Sequence, residues 1–574
     1  MQPRLRAFIL LLVCAAVGVL ALNLALHARR PLHATIAPRV LLFDVPSRVD
    51  EGPPPPTLSF DFLRRERPAF HELLFAIHNA ADDRSVSALV LHVDGLDWGW
   101  ARVYEMCSAV RAFRASGKRV YASLNGGGEK EYLLAAAAGT LAMPPVSTLQ
   151  LDGLSASVMF MQGAYEKLGI RPNFAHVGRY KSAVEQYTRS SLSPDARDAM
   201  ESLLDDEFSL LVDSLASSRR LSRDGVRQLI DDGPYTAREA RQRGLLDTLL
   251  AEADVDSLAS HAGGTRHPTA SFTRYAEEGG SGNGEHIALL VAEGEIVDGK
   301  SREGAFGGRS VGDRTLVEAL QDIRGRRNIR AVVLRIDSPG GSGDASDAVW
   351  QELRRVRRDK PVIVSMGDVA ASGGYYLACA GDAIVAGPAT ITGSIGVFGG
   401  KLNILGLFRK LGLNVETVSR GKHAEMLSPY RDFDADELSR YQQSLDQFYR
   451  VFVGRVAEGR KMAPAQVDSV GQGRVWSGLA ARQHGLVDRL GGLYEAFQLA
   501  RKRAHIDPDA DIVVDVYPRP RRTFVQKWLG GVFDEPSDDD SRLPVMSELA
   551  HWYQIATFPA GAMLALMPYT IRIQ

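Results

Sequence analysis

Two stretches of this chain are near-copies of each other. Arg84-Ser-Val-Ser-Ala-Leu-Val-Leu-His-Val-Asp94 and Arg327-Asn-Ile-Arg-Ala-Val-Val-Leu-Arg-Ile-Asp337 carry the same apolar run, 243 positions apart. Such a repeat constrains the fold strongly, because whatever one copy forms the other must form too. Each run is short, rich in leucine and β-branched residues and bounded by polar ones, the pattern of a buried strand. An amphipathic helical pattern follows in each copy, over Val103 to Ala115 and Ala345 to Val356. Second apolar runs come next, Arg119-Val-Tyr-Ala-Ser123 and Pro361-Val-Ile-Val-Ser365, then small-residue helix starts at Leu133–Gly139 and Tyr376–Gly381. Both copies pass through Leu-Gly (Leu168-Gly169, Leu411-Gly412) into long helical stretches. They close alike, as Ala240-Arg-Gln-Arg-Gly-Leu-Leu-Asp247 and Ala481-Arg-Gln-His-Gly-Leu-Val-Asp488. Strand–helix–strand alternation predicts two α/β units with largely parallel sheets.

The copies differ where chemistry would sit. The second continues its first strand as Asp337-Ser-Pro-Gly-Gly-Ser342, and paired glycines let backbone N–H groups approach a carbonyl oxygen. The first has Asp94-Gly-Leu-Asp-Trp98 there, without the pair. The second copy's other strand runs into Met366-Gly-Asp-Val-Ala-Ala-Ser372-Gly-Gly-Tyr-Tyr376, which puts Ser372 at the mouth of a helix with glycine directly behind it. Ser-Gly-Gly alone is also an ordinary helix start. The first copy has Glu129-Lys130-Glu131 in its place, so it lacks both the nucleophile and its oxyanion donors.

A nucleophilic serine needs a base. No His–Asp arrangement falls at a matched position, and His423, in Arg420-Gly-Lys-His423, reads as a surface residue. A lysine serves when burial keeps it neutral. The first copy carries Val177-Gly-Arg-Tyr-Lys-Ser-Ala-Val-Glu185 and the second Arg420-Gly-Lys-His-Ala-Glu-Met-Leu-Ser428. Aligning Gly178 with Gly421 sets Lys181 opposite Ala424, and Lys422 opposite Arg179. One half keeps a lysine without the serine, and the other keeps the serine without that lysine. A dyad of Ser372 and Lys181 assembled across the copies explains this, with Lys422 as the alternative base. The sequence leaves open whether the pair meets within one chain or between subunits.

Lys and Arg number 68 against 69 Asp and Glu, so no global charge draws the chain to nucleic acid. Three scattered cysteines supply neither a disulfide framework nor a four-ligand zinc site. Ala7 to Leu26 is nearly continuous apolar sequence, of a length that spans a membrane, and it runs on past the one small-x-small site, so it reads as an uncleaved anchor. The expected organisation is a flank at 1–6, an anchor at 7–27, a first repeat at 34–262, a flexible linker at 263–285, a second repeat at 286–503 and a tail at 504–574. The tail's apolar stretch, Phe558 to Ile573, is broken by Pro559 and Pro568 and is expected to dock on the body or touch the membrane.

In combination, Asp-Ser-Pro-Gly-Gly, Ala-Ala-Ser-Gly-Gly-Tyr-Tyr, Thr392-Gly-Ser-Ile-Gly-Val-Phe-Gly399 and Val-Gly-Arg-Tyr-Lys-Ser-Ala-Val-Glu resemble the long form of the bacterial signal peptide peptidase A family (protease IV, peptidase family S49). The resemblance covers residues 36–503 and the anchor. It implies tandem Clp protease/crotonase-like spirals of βαβ units, a serine protease acting on cleaved signal peptides and other short apolar peptides, and a homotetramer at the bacterial inner membrane with its sites on the periplasmic side. It implies Ser372 as nucleophile, Lys181 as general base, Ser394 as the residue orienting the lysine, and Gly341 and Gly373 as oxyanion donors. No cofactor, metal or nucleic-acid partner is expected. Two other readings remain at this stage: a crotonase-like acyl-CoA enzyme, whose thioester chemistry uses similar glycine pairs, and a non-catalytic membrane scaffold.

Overall fold

The computed structural model describes residues 38–52, 68–262, 264, 266–278, 284–303, 309–519, 562–567 and 573. The expected anchor lies outside them. Among the described residues no helix is long and apolar enough to cross a membrane.

The duplication is visible in two parallel sheets with the same strand order. In the first half, strands Arg39–Asp44, Val86–Val93, Arg119–Leu124, Thr140–Met143 and Thr248–Leu249 lie side by side in sequence order, all parallel. The second half repeats this with Glu285–Glu293, Ile329–Ser338, Val362–Ala371, Ala383–Ala386 and Arg489–Leu490. Each first strand gains one more parallel neighbour, Thr269–Ser271 in the first sheet and Ile512–Tyr517 in the second. Those two strands correct the expected boundaries. Residues 269–278, assigned to a flexible linker, form a strand and a helix, Phe272–Glu278, whose Phe272 is buried in the first half's core. The second sheet likewise continues past residue 503.

The helices behave as their patterns predict, with earlier starts. Gly343–Val356 begins at Ser342, whose Oγ accepts from the Ala345 N–H at 3.3 Å, and it buries Ala345, Val349, Trp350, Leu353 and Val356 along one face. Its counterpart in the first half is Trp100–Ala115. The small-residue helices run over Glu129–Ala136 and Gly373–Ala378 instead of the later spans expected, the first starting after Gly128 and the second after Ser372. The long helices Pro194–Arg219 and Ala435–Arg460 end alike, in left-handed Arg220 and Lys461.

The halves share a core. Along Glu285–Glu293, Ile287, Leu289 and Val291 pack into the cluster that contains the first sheet, while Ala288, Leu290 and Ala292 face the second half's own cluster. Alternate residues of a strand point to opposite faces, so one strand serves both cores. A third, seven-stranded sheet joins the halves outright. It runs Arg302–Glu303, Arg309–Gly312, Glu295–Val297, Gly340–Ser342, Met563–Leu566, Val397–Asn403 and Arg171–Val177. Its last strand belongs to the first half, and Met563–Leu566 comes from the tail.

Candidate active site

Ser372 sits between the strand Val362–Ala371 and the helix Gly373–Ala378, with φ 55° and ψ −112°. A non-glycine residue at positive φ is strained, and such strain persists only where surrounding bonds impose it. Here the Ser372 N–H donates to the Gly393 carbonyl at 2.8 Å, and the Ser372 carbonyl accepts from Tyr376 N–H at 2.8 Å. The Ser372 side chain makes no capping bond to the helix it precedes. Both the residue and its side-chain neighbours are buried; Ser372 itself is 0% exposed.

Lys181 reaches this serine from the other half. The strand Arg171–Val177 pairs antiparallel with Val397–Asn403, Val177 opposite Val397, and so carries the following turn into the second half. The Lys181 N–H closes that turn onto the Gly178 carbonyl at 3.0 Å, and the Tyr180 N–H donates to the Gln472 carbonyl at 2.8 Å. Nζ then lies 2.8 Å from Ser372 Oγ, 3.0 Å from Ser394 Oγ and 3.1 Å from the Ser394 carbonyl oxygen. The lysine is 0% exposed, and burial drives its pKa well below the ordinary lysine value. Ser394 is itself held at φ 51°, its N–H donating to the Arg474 carbonyl at 2.7 Å. The pair therefore meets within one chain. Lys422 stays on the surface, 2.8 Å from Asp436, and His423 lies 3.4 Å from the same carboxylate.

The glycine pair lines the other side. Gly340 has φ 103°, and a Cβ there would stand 2.0 Å from the Ala565 carbonyl oxygen and 2.7 Å from the Gly373 nitrogen. Gly340, Gly373 and the Ala565 carbonyl of the tail strand thus approach one another closely next to Ser372. Sequence reasoning missed the Gln472-Gly473 turn that cradles Lys181. A Cβ on Gly473 would sit 2.5 Å from the Lys181 nitrogen, and the only trace of this in the sequence is a glycine with no motif around it.

Behind the glycine turn lies a buried ionic cluster shared by the halves. Arg335, fully buried, donates to Glu105 at 2.8 Å, to Glu51 at 2.8 Å and to Ser365 Oγ at 2.9 Å. Arg102 donates to Glu51 at 3.0 Å, to the Val49 carbonyl at 3.2 Å and to Asp337, and its Nε lies 3.2 Å from Asp368. Burial raises the Glu51 carboxyl, but Arg335 and Arg102 outweigh it and hold the pKa at about 2. Burial wins at Glu105, pushed up to about 7 against the pull of Arg335. Asp337 in turn accepts from the Val369 N–H at 2.9 Å, tying the glycine turn to the strand that ends in Ser372.

No group of three or more His, Cys, Asp or Glu suited to a metal occurs among the described residues. The arrangement is a serine hydroxyl against a desolvated lysine, beside glycine backbone. Known proteins are similar to this chain in sequence. The profile of Peptidase family S49 matches residues 112–263 and 354–507. The chloroplastic serine protease SPPA of Arabidopsis thaliana is 33% identical over 496 residues, covering 85% of this chain and 71% of its own. Protease 4 of Salmonella typhi is 32% identical over 477 residues, 79% of this chain and 76% of its own. A putative signal peptide peptidase SppA of Enterococcus faecium is 31% identical over 260 residues, 45% of this chain and 74% of its own. These matches set aside the acyl-CoA and scaffold readings: the chain belongs to peptidase family S49 and is a serine protease.

Proposed function

We propose that this protease cleaves short apolar peptides, signal-peptide remnants among them, with Ser372 as nucleophile and Lys181 as general base. The observation that carries the reading is the 2.8 Å separation of Nζ and Oγ between two fully buried residues. A neutral amine has two N–H groups and one lone pair. The two N–H groups match the Ser394 carbonyl and hydroxyl oxygens, which leaves the lone pair for the Ser372 proton. Ser394 is therefore the positioning residue for the base.

The reaction follows from this arrangement. Lys181 takes the proton as Ser372 Oγ attacks the peptide carbonyl carbon. The N–H groups of Gly341 and Gly373 receive the oxyanion, each worth about 3 kcal/mol of transition-state stabilisation. The lysine returns its proton to the leaving amine, then activates the water that releases the acyl group. Desolvation that keeps the lysine neutral also favours apolar substrate, and the putative signal peptide peptidase of Enterococcus faecium supports signal peptides as the class.

The finer architecture belongs to the same proposal. The repeated βαβ order supports Clp protease/crotonase-like spirals, and the apolar stretch at 7–27 supports a single-pass anchor in a bacterial inner membrane with the catalytic region in the periplasm, working as a homotetramer. The decisive test replaces Ser372 and Lys181 singly by alanine and measures cleavage of a synthetic signal peptide. Each variant should lose at least a thousandfold in kcat/KM while keeping its melting temperature within a few degrees; full activity in either would refute the dyad.

A further inference from the structure

The first copy has lost the nucleophile and kept the cleft around it. Its residues 154–160 are the repeat mates of Val397–Asn403, 243 positions earlier in the chain. They run extended, with 154, 156, 158 and 160 half-buried and 155, 157 and 159 exposed, the alternation of a strand. In the second half the mate strand pairs with the tail, and Gly399 lies opposite Met563. The mate of Gly399 is Ala156, and Ala156 lies antiparallel opposite Ile573. The facing wall agrees. A Cβ on Gly343 would stand 3.3 Å from the Met563 carbonyl oxygen. Its mate in the first copy is Trp100, whose Nε1–H donates to the Ile573 carbonyl at 3.2 Å. Ile573 therefore takes in the first half the place that Met563 takes in the second.

What stands in place of the lost serine lets this cleft bind without cutting. Glu129 occupies the position of Ser372, and its Oε1 accepts from the N–H groups of Asp152 and Gly153 at 2.9 and 2.8 Å. Glu131 accepts from the Leu96 N–H at 2.6 Å and from the Gly128 N–H at 2.9 Å. Backbone donors that could have held an oxyanion are thus satisfied by the chain's own carboxylates. The wall at 154–160 is open by contrast: among the described residues its one ladder contact is Ala156 with Ile573. An unpaired strand edge takes up an extended peptide through main-chain groups, whatever the sequence, and the side-chain surroundings add selectivity. Ile573 is 6% exposed and joins the first half's core, so those surroundings suit an apolar residue.

We infer that the first copy's cleft is a second, non-catalytic docking groove, which holds the C-terminal part of the same apolar peptide that the Ser372 cleft cuts. The inference rests on the peptide-cleaving reading of Ser372 and Lys181. Met563 and Ile573 are ten positions apart in one chain, so the two grooves lie within about 35 Å, the reach of that many extended residues. That chain runs from the second half's groove to the first's in the N-to-C direction, which sets the polarity of a peptide lying in both. A signal peptide of about 15–30 residues is long enough to do so, whereas one of about six residues fills a single groove. Docking in the first half makes binding beside Ser372 intramolecular and raises the effective concentration of the peptide there. A long peptide must take the groove from Ile573.

The test gives the full chain two synthetic apolar peptides that share one cut bond, about six and about 20 residues long. The wild-type kcat/KM should be at least about tenfold higher for the long peptide, through a lower KM. Trp100→Phe removes the indole N–H and keeps a ring, and Ala156→Asp sets a charge on the groove wall. Each should bring the long-to-short ratio of kcat/KM to within about twofold of unity. Ending the chain after Tyr569, which removes Ile573 and retains Met563–Leu566, should raise the ratio at least about threefold. In the Ser372→Ala variant, a long peptide with a photoreactive group near its C-terminal end should crosslink to residues 154–160. A ratio near one with and without Ile573 overturns the inference, as does a ratio that neither substitution moves, or crosslinking confined to the second half. If the short peptide is cut and these tests fail, this inference alone falls; if the wild-type enzyme cuts neither peptide, the peptidase reading falls first.

Discussion

Lys181 weakens the folded chain by the same property that suits it to the role of base proposed for it. Burial holds its pKa well below the ordinary lysine value of about 10.4, so over the intervening pH range the unfolded chain carries a proton that the folded chain lacks. With more protons bound in the unfolded state, the penalty from this residue shrinks as pH rises and grows as pH falls. Lys181→Met should abolish peptidase activity and raise stability by about 1–2 kcal/mol at neutral pH, read by urea denaturation. A net loss of stability would show that the bonds to Ser394 outweigh the desolvation. In the wild-type enzyme, kcat/KM should rise with pH through the lowered lysine pKa and then level off, since the ammonium has no lone pair to accept the serine proton. A profile that climbs only near pH 10 would refute a neutral base. Both residues of this pair were legible in the sequence, because the two copies could be compared position by position: Glu129-Lys130-Glu131 against Ser372-Gly373-Gly374, and Ala424 against Lys181. Gln472-Gly473 was not, since a supporting turn defined by close approach leaves only an unremarkable glycine.

Strands and helices followed local pattern, and their partners did not. Val86–Val93 and Ile329–Ser338 were legible from apolar runs of buried-strand length, and Trp100–Ala115 and Gly343–Val356 from helical spacing. That Arg171–Val177 pairs with Val397–Asn403 of the other half is a choice made by tertiary packing, which period and propensity do not encode. The same holds for the ionic cluster, whose members Glu51, Arg102, Glu105, Arg335 and Asp337 look in sequence like ordinary surface charges. Arg102 connects the helix Trp100–Ala115 to the glycine turn through Asp337 and to the Ser372 strand through Asp368. Arg102→Ala should cost about 3–5 kcal/mol in urea denaturation, because it leaves buried carboxylates without their cation. Arg102→Lys should recover only part of that, since one ammonium cannot reproduce a guanidinium donating from separate nitrogens to Glu51, the Val49 carbonyl and Asp337. A cost under 1 kcal/mol for the alanine variant would mean that the cluster relaxes or takes up protons freely.

At the scale of the whole molecule the two halves are one folding unit joined by a short connection. The Glu285–Glu293 strand contributes alternate residues to both cores, and the seven-stranded sheet takes one strand from the first half, five from the second and one from the tail. Such halves should stay together without a covalent link. A site-specific protease sequence placed between Glu278 and Glu285, once cut, should leave a particle of unchanged hydrodynamic size with most of its peptidase activity; separation of the fragments on gel filtration would refute a shared core. Lys181 and Ser372 are 191 residues apart in the chain, with the lysine made first. A polypeptide growing on the ribosome therefore holds a lysine with nothing to activate for a third of its synthesis. The second sheet is then incomplete until Ile512–Tyr517 emerges, and among the described strands Met563–Leu566 comes last, pairing with Gly340–Ser342. The pair can form only once both halves of the chain have been made and folded against each other.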